Sequence, residues 1–195
     1  MPPPSQAMLG SKFLDGFETM AEPCLISARE EVAKLMAEIC DLRPARWLSL
    51  CGHSGTGKTM LARRFGRFMR ARGQFYNHTR TDAQLVRRWA YWGEAELARA
   101  LREGDHHLVN DLSQQWLLVL DDIGSTNDST GFITSAIGEI LNRRAGKWTF
   151  LTSNRTVEQW ATKESRIASR MLRDGNQVVK MECLDYSLRK LQEVA

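Results

Sequence analysis

The sequence has few cysteines and no long hydrophobic run. No Cys-x-x-Cys pair occurs, and the cysteines are scattered at Cys24, Cys40, Cys51 and Cys183. This argues against a disulfide framework and favours reduced thiols in a core. No apolar run approaches the roughly 18 residues that span a bilayer, and the start, Met-Pro-Pro-Pro-Ser-Gln, lacks the basic and apolar regions of a signal peptide. We therefore expect a cytoplasmic protein with no membrane partner.

Internal repeats and long low-complexity tracts are also missing. A length of 195 residues with 43% apolar and 26% charged side chains is typical of one globular domain. The charge is uneven, because residues 46–115 carry 12 basic and 6 acidic side chains, a net charge of +6. Such a block is compatible with nucleic acid binding, although arginine-rich helix faces are more often only solvated.

The strongest motif is residues 52–59, Gly-His-Ser-Gly-Thr-Gly-Lys-Thr, a full match to the Walker A pattern GxxxxGK[ST]. An apolar run before it and a helical pattern after it predict a loop between strand and helix. Glycines let backbone N–H groups face phosphate oxygens, Lys58 would pair with the β- and γ-phosphates, and Thr59 would hold Mg²⁺. A simple glycine-rich turn would account for the glycines, but not for lysine and threonine at the two positions that the motif requires. The predicted ATP-binding residues are Gly52, Ser54, Gly55, Thr56, Gly57, Lys58, Thr59 and Met60.

Two further polar positions follow apolar runs. Asp121 and Asp122 end a run that indicates a buried parallel strand, so the pattern is typical of Walker B. Asp121 would hold Mg²⁺, directly or through water, and Asp122 would orient and deprotonate the attacking water. Asn154 ends the next strand, where its amide could hydrogen-bond a γ-phosphate or that water. The alternatives are a surface loop for the acids and a turn residue for the asparagine.

Hydrophobic periodicity, together with capping residues, glycine and proline, predicts the other helices and strands. A capping box at Ser27 opens a helix that Pro44 ends, and a polar loop covers residues 125–131. The helix after the phosphate loop is expected to close at Gly73, with a short strand at 75–76 and a last strand at 178–181. Residues 1–12 are expected to be disordered.

A long excursion separates the two chemical motifs. Lys58 and Asp121 are 63 positions apart, too many for one crossover helix, so an extra strand and helices must lie between them. This segment contains arginines, which could bind the phosphates of single-stranded nucleic acid, and aromatic rings, on which its bases could stack. The alternative is an amphipathic helix whose aromatic side chains pack on the sheet. The residues concerned are Arg80, Arg87, Arg88, Trp89, Tyr91, Trp92, Arg99 and Arg102.

The order of these motifs resembles the AAA+ ATPases, in detail the DnaC-type helicase loaders and their IstB-type transposition relatives. The likeness runs from about Phe13 to Arg189. Its marks are Phe13-x-x-x-Phe17, residues 52–59, the Leu-Leu-Val-Leu-Asp-Asp-Ile-Gly string, Leu141-Asn-Arg-Arg144 before Thr152-Ser-Asn154, residues 166–171 and Asp185-Tyr-Ser-Leu-Arg189. The resemblance implies an α/β three-layer sandwich with a five-stranded parallel sheet over 13–195 and no C-terminal helical lid.

The resemblance also implies roles and partners. Asn154 looks like sensor 1, and Arg170 looks like an arginine finger inserted by a neighbouring subunit, with Arg166 on the same helical face as the alternative. The implied function is an ATP-hydrolysing helicase loader that binds single-stranded DNA and a replicative helicase and acts as a homo-oligomer. Alternatives are an ATP-switched adaptor or transposition regulator, and a small-molecule kinase. Asp122 stands where many AAA+ proteins have glutamate, and the domain that precedes the core in those loaders lies outside the likeness.

Overall fold

The computed structural model describes residues 12–17, 19, 22–77, 89–105, 107–183 and 185. One or two helices separate each strand from the next in this part of the chain. The helices are α1 (Pro23–Cys40), α2 (Lys58–Asn77), α3 (Glu94–Arg102), α4 (Leu108–Gln114), α5 (Phe132–Asn142), α6 (Val157–Lys163) and α7 (Ser165–Met171). The strands are β1 (Trp47–Gly52), β2 (Trp89–Gly93), β3 (Leu117–Ile123), β4 (Trp148–Ser153) and β5 (Gln177–Met181).

The five strands form one parallel sheet in the order β2-β3-β4-β1-β5. This confirms the predicted α/β fold. The three central strands are buried along almost their whole length, which explains their continuous apolar runs. Because β3, β4 and β1 are neighbours, their carboxyl ends meet at one edge of the sheet, and the loops that follow them converge there.

Two hydrophobic cores lie on opposite faces of the sheet. Side chains of β3 alternate between them, with Leu117 and Val119 in one core and Leu118 and Leu120 in the other. The first core is shared with α1 and α2, and the second with α3 through α7. The helices therefore cover both faces, which gives the predicted three layers.

The predicted strand at 75–76 is wrong, because α2 continues to Asn77. Gly73 lies inside this helix and does not end it. One interior glycine costs only about 1 kcal/mol relative to alanine, which a helix packed against a core tolerates. The strand that the long separation between motifs requires is β2, further along the chain.

The predicted start of the first helix is also wrong. Helix α1 begins at Pro23, with Glu22 as its N-cap, so Ser27 lies one turn inside the helix. Proline suits this first position because its ring fixes a helical φ and its missing N–H would have no helical partner there. The capping-box pattern at Ser27 was therefore a chance match.

The aromatic side chains of the excursion lie on the edge strand β2. Trp89 and Tyr91 are partly buried against the first core and Trp92 against the second. The predicted alternative of an amphipathic helix is therefore wrong for these residues, which form a strand of the sheet, and their partly buried rings are not freely exposed stacking surfaces. Arg80, Arg87 and Arg88 lie outside the described residues, whereas Arg99 and Arg102 are exposed on α3.

Arg144 is a fully buried cation at the end of the sheet opposite the phosphate loop. Its guanidinium donates to Thr149 Oγ1 at 3.1 Å, to the carbonyls of Leu112 and Gln115 at 2.8 Å each, and to the carbonyl of Trp148 at 2.5 Å. Burial lowers the pKa of Arg144 to about 10. The side chain thus ties the end of α4 to the start of β4.

The remaining predictions concern the chain ends and membranes. Residues 1–11 of the stretch expected to be disordered lie outside the described residues. Over the ranges that the structure does describe, we find no helix with both the length and the apolar character needed to span a bilayer.

Candidate functional site

Residues 52–59 form the turn between β1 and α2, at the edge where β1, β3 and β4 end. Two glycines in this turn have left-handed backbones that other residues rarely adopt, with φ of 76° at Gly55 and 92° at Gly57. The turn leads directly into α2, whose first N–H groups have no helical partners. These donors and the partial positive charge of a helix N-terminus suit phosphate binding.

Lys58 is the first residue of α2 and is only 4% exposed. Its Nζ donates to the carbonyls of Gly52 at 2.8 Å and His53 at 2.5 Å, and to Thr56 Oγ1 at 3.3 Å. Burial lowers the pKa of Lys58, while the Asp122 carboxylate opposes this shift. The loop's own oxygen atoms therefore hold the ammonium group in place beside the cleft.

Asp121 is the meeting point of three hydroxyl groups and is 5% exposed. Its Oδ1 accepts from Thr59 Oγ1 at 3.1 Å and from Thr152 Oγ1 at 2.5 Å. Its Oδ2 accepts from the Tyr91 hydroxyl at 2.5 Å. Burial, and after it the hydrogen bond to Asp121, raises the pKa of Tyr91, so the phenol remains a donor at neutral pH. The carboxylate is therefore fixed at both oxygen atoms.

Thr59 and Asp121 fit the ligand chemistry of Mg²⁺. Hydroxyl and carboxylate oxygens are the hard donors that this ion prefers, with bonds of about 2.1 Å in octahedral geometry, so neighbouring ligands lie about 3 Å apart. The Thr59 hydroxyl lies 3.1 Å from Asp121 Oδ1. These two side chains, with phosphate oxygens and water, would complete a magnesium site.

Asp122 and Asn154 form a second polar pair in the cleft. Asn154 Nδ2 donates a hydrogen bond to Asp122 Oδ1. The backbone of Asp122 is left-handed, with φ of 63°, and its N–H donates to Thr152 Oγ1 at 2.8 Å. The register between β3 and β4 shifts at this point, between Leu120 and Ile123. A left-handed aspartate costs on the order of 1–3 kcal/mol and is typical of functional sites.

The loop and the polar pair line one cleft of about 480 Å³, within the roughly 300–1,000 Å³ of small-molecule pockets. Gly52 is not among its lining residues, because it packs against the backbone of Met181 instead. The lining residues predicted from sequence are Ser54, Gly55, Thr56, Gly57, Lys58, Thr59, Met60, Asp122 and Asn154.

Sequence reasoning missed several residues of this site. Phe17 and Leu25 line the cleft from the segment before α1 and from its first turn, and Asp185 lines it beside Gly55. Phe17 and Asp185 belong to stretches that carry the family resemblance, but their positions gave no indication of a contact with the loop. Tyr91 was expected either to stack on nucleic acid or to pack on the sheet, and not to contact Asp121. The apolar side chains of Phe17 and Leu25 could border the flat base of a nucleotide. The negative charge of the Asp185 carboxylate, in contrast, would repel a phosphate group near Gly55.

Arg166 and Arg170 lie on α7 and are not among the described residues that line this cleft. Arg170 Nη2 donates to Asn142 Oδ1 on α5, and Arg166 Nε lies 3.0 Å from Glu164 Oε1. Neither arginine is therefore positioned to contact a phosphate bound to its own subunit. A role for either one at a neighbouring subunit's site stays a prediction.

The fold of the chain is similar to those of several solved structures. It is similar to AMPPCP-bound DnaA from Aquifex aeolicus, with a TM-score of 0.60 and 21% identity over 89% of this chain and 53% of that one. It is similar to DnaI, with a TM-score of 0.63 and 20% identity over 89% of this chain and 88% of that one. For the DnaC helicase loader the TM-score is 0.58, with 20% identity over 82% and 90% of the two chains.

The chain thus spans about half the length of the DnaA structure, which has 53% of its chain covered, and most of the other two. At these identities the likeness shows the fold alone. No curated protein matches the chain in sequence. A family model described as AAA domain (dynein-related subfamily) does match residues 48–176, which is more than half of the chain and includes both chemical motifs. The chain therefore belongs to the AAA domain family of P-loop ATPases.

Proposed function

We propose that this protein binds and hydrolyses ATP with Mg²⁺ as a DNA-replication ATPase of the helicase-loader type. One observation carries the ATPase part of the proposal. The phosphate loop with Lys58, the Thr59–Asp121 pair and the Asp122–Asn154 pair meet at one edge of the sheet. Phosphate binding, metal binding and water activation are thus supported within one site.

Each side chain has a defined task in this proposal. Lys58 pairs with the β- and γ-phosphates, and Thr59 and Asp121 hold the Mg²⁺, which neutralises phosphate charge. Asp122 accepts a proton from the attacking water, and Asn154, already bonded to Asp122, orients that water. Asp122 lines the cleft and has a left-handed backbone, and both observations support this role.

Replacing Lys58 by alanine should abolish stabilisation by ATP and Mg²⁺ while the fold is retained. At a nucleotide concentration 100 times the Kd, binding stabilises a protein by about 2.7 kcal/mol. For a chain of this size that is a rise in Tm of roughly 5–10 °C. Differential scanning fluorimetry should show this rise in the parent and none in Lys58→Ala.

The matched control is Lys34→Ala, because Lys34 is 61% exposed and only 3.7 Å from Glu31 in a helical pair. This variant should keep the full ATP response. A Lys58→Ala protein that ATP stabilises as strongly as the parent would refute the assignment of the phosphate site.

An ATP-switched adaptor with little hydrolysis is the second candidate function. The observation that favours it is Asp122, which is one methylene shorter than glutamate and is engaged with Asn154. Tight ATP binding without turnover would support the adaptor. Turnover that requires a nucleoside acceptor would instead indicate a small-molecule kinase.

The proposal also includes a DNA partner and a protein partner. The basic block of residues 46–115 supports single-stranded DNA as a ligand, and the folds of DnaI and DnaC support a replicative helicase as the protein partner. Pull-down from a host lysate in the presence of ATP tests the second partner. Recovery of the replicative helicase with the parent, but not with Lys58→Ala, is the expected result.

If the arginine-rich segment between the two chemical motifs contacts the DNA phosphate backbone, DNA binding should weaken steeply as the salt concentration rises. Each contact with a single strand contributes about −0.7 to the slope of log K against log salt. Replacing Arg87 and Arg88 by alanine should therefore flatten the slope by about 1.4, as fluorescence anisotropy with labelled oligonucleotides can measure. Arg143→Ala is the control, since Arg143 is paired with Glu139 on α5. An unchanged slope in the double variant would indicate that these arginines are solvated surface residues with no DNA contact.

A further inference from the structure

Tyr91 reaches the magnesium site from the edge of the sheet. In the parallel pairing of β2 with β3, Tyr91 lies opposite Val119 and Gly93 lies opposite Asp121. Tyr91 and Asp121 are thus diagonal neighbours on one face, a separation that an aromatic side chain can bridge. The Tyr91 hydroxyl makes this connection, with a 2.5 Å hydrogen bond to Asp121 Oδ2.

The ring of Tyr91 is held in this orientation by α2. A Cβ added at Gly66 would lie 3.4 Å from Tyr91 Cδ2, so the ring packs directly against the helix backbone there. The hydroxyl is therefore confined between α2 and β3, and its donated hydrogen bond points to Asp121.

The two oxygen atoms of Asp121 have separate partners. Oδ1 accepts from Thr59 and Thr152, on the side where a metal would bind, and Oδ2 accepts from Tyr91. A carboxylate that is held at only one oxygen can rotate about its χ2 angle, which is a soft torsion. The second anchor at Oδ2 prevents this rotation and keeps Oδ1 directed towards Thr59.

We propose that Tyr91 is a positioning residue that holds Asp121 in the orientation required for binding Mg²⁺ with ATP. This inference rests on the proposed function of the cleft. Hydrogen-bond partners behind a metal ligand typically contribute a factor of about 10–100 to metal affinity. The aspartate, the threonine and the loop follow from the sequence motifs, whereas the tyrosine follows only from the pairing of β2 with β3.

The test is Tyr91→Phe, which removes the hydroxyl and keeps the ring. Isothermal titration calorimetry gives the ATP affinity in Mg²⁺ and in EDTA, and the ratio of the two is the magnesium enhancement. This enhancement should fall by about 10–100-fold in Tyr91→Phe. ATP affinity in EDTA should stay at the parental value, because the phosphate loop is untouched.

Two further variants separate positioning from packing. Tyr91→Leu also lacks the hydroxyl but packs differently, so its magnesium enhancement should match that of Tyr91→Phe even where its Tm does not. Trp92→Phe perturbs the same strand on the other face, against the second core, and should keep the parental enhancement.

Each outcome decides between the proposals. A parental enhancement in both Tyr91 variants overturns the role of Tyr91 and leaves the proposed ATPase site intact. A parent protein with no magnesium enhancement at all overturns the magnesium site together with the role of Tyr91. Equal loss of enhancement in Trp92→Phe would show that any disturbance of β2 has this effect, and it would also overturn the assignment.

Discussion

Replacing Arg170 by alanine is expected to reduce ATP turnover in the assembled state by about 10³–10⁵-fold, with ATP affinity nearly unchanged. Negative charge develops on the γ-phosphate during transfer and needs a cation close to it. Lys58 is the only cationic side chain among the described residues that line the cleft. An arginine from a neighbouring subunit would supply the missing charge, so turnover per subunit should rise with protein concentration or on DNA that assembles the subunits.

Complementation between subunits tests this prediction directly. Arg170→Ala and Lys58→Ala should each be inactive alone, yet a mixture should recover part of the turnover. In such a mixture the Lys58 variant donates its intact Arg170 to a neighbour that has an intact phosphate loop. A mixture that stays inactive, with assembly verified by light scattering, would count against an arginine acting between subunits.

Arg166→Ala identifies which arginine acts. Both residues lie on α7, but Arg166 is 78% exposed and paired with Glu164, whereas Arg170 is bonded to Asn142. Arg143→Ala serves as a control for a surface arginine on the neighbouring helix α5. If Arg170→Ala keeps parental DNA-stimulated turnover and Arg166→Ala loses it, the finger is Arg166.

Replacing Arg144 by methionine should destabilise the fold by about 4 kcal/mol, because four oxygen acceptors would each lose a hydrogen bond worth about 1 kcal/mol. Methionine retains much of the side-chain volume, so the loss would reflect hydrogen bonding more than a cavity. Urea unfolding followed by circular dichroism measures the change in the free energy of unfolding.

Arg143→Met provides the comparison for Arg144. Arg143 is the preceding residue, is exposed, and pairs with Glu139 one turn earlier on α5. Exposed pairs of this kind contribute only about 0.3–0.5 kcal/mol. Similar losses in the two variants would contradict the interpretation of Arg144 as a buried clamp between α4 and β4.

The chemical motifs of this protein could be predicted from the sequence because their information is local. The phosphate loop needs glycines, lysine and threonine at fixed spacing within eight positions, and the acids at 121 and 122 directly follow a buried apolar run. Parallel strands bring the ends of such runs to one edge, so the meeting of Lys58, Asp121 and Asn154 could be expected before any coordinates. The need for an extra strand followed from chain length alone.

Other features depended on contacts between residues distant in the sequence, which no local pattern encodes. The end of α2 was missed because one interior glycine such as Gly73 costs only about 1 kcal/mol and does not stop a helix. The extra strand forms further along the chain, where β2 pairs with β3. The same pairing brings the Tyr91 hydroxyl to Asp121, 30 positions away. Only the tertiary structure, by setting which strands and helices are neighbours, decided that Arg144 is a buried clamp and that Asp185 borders the phosphate loop.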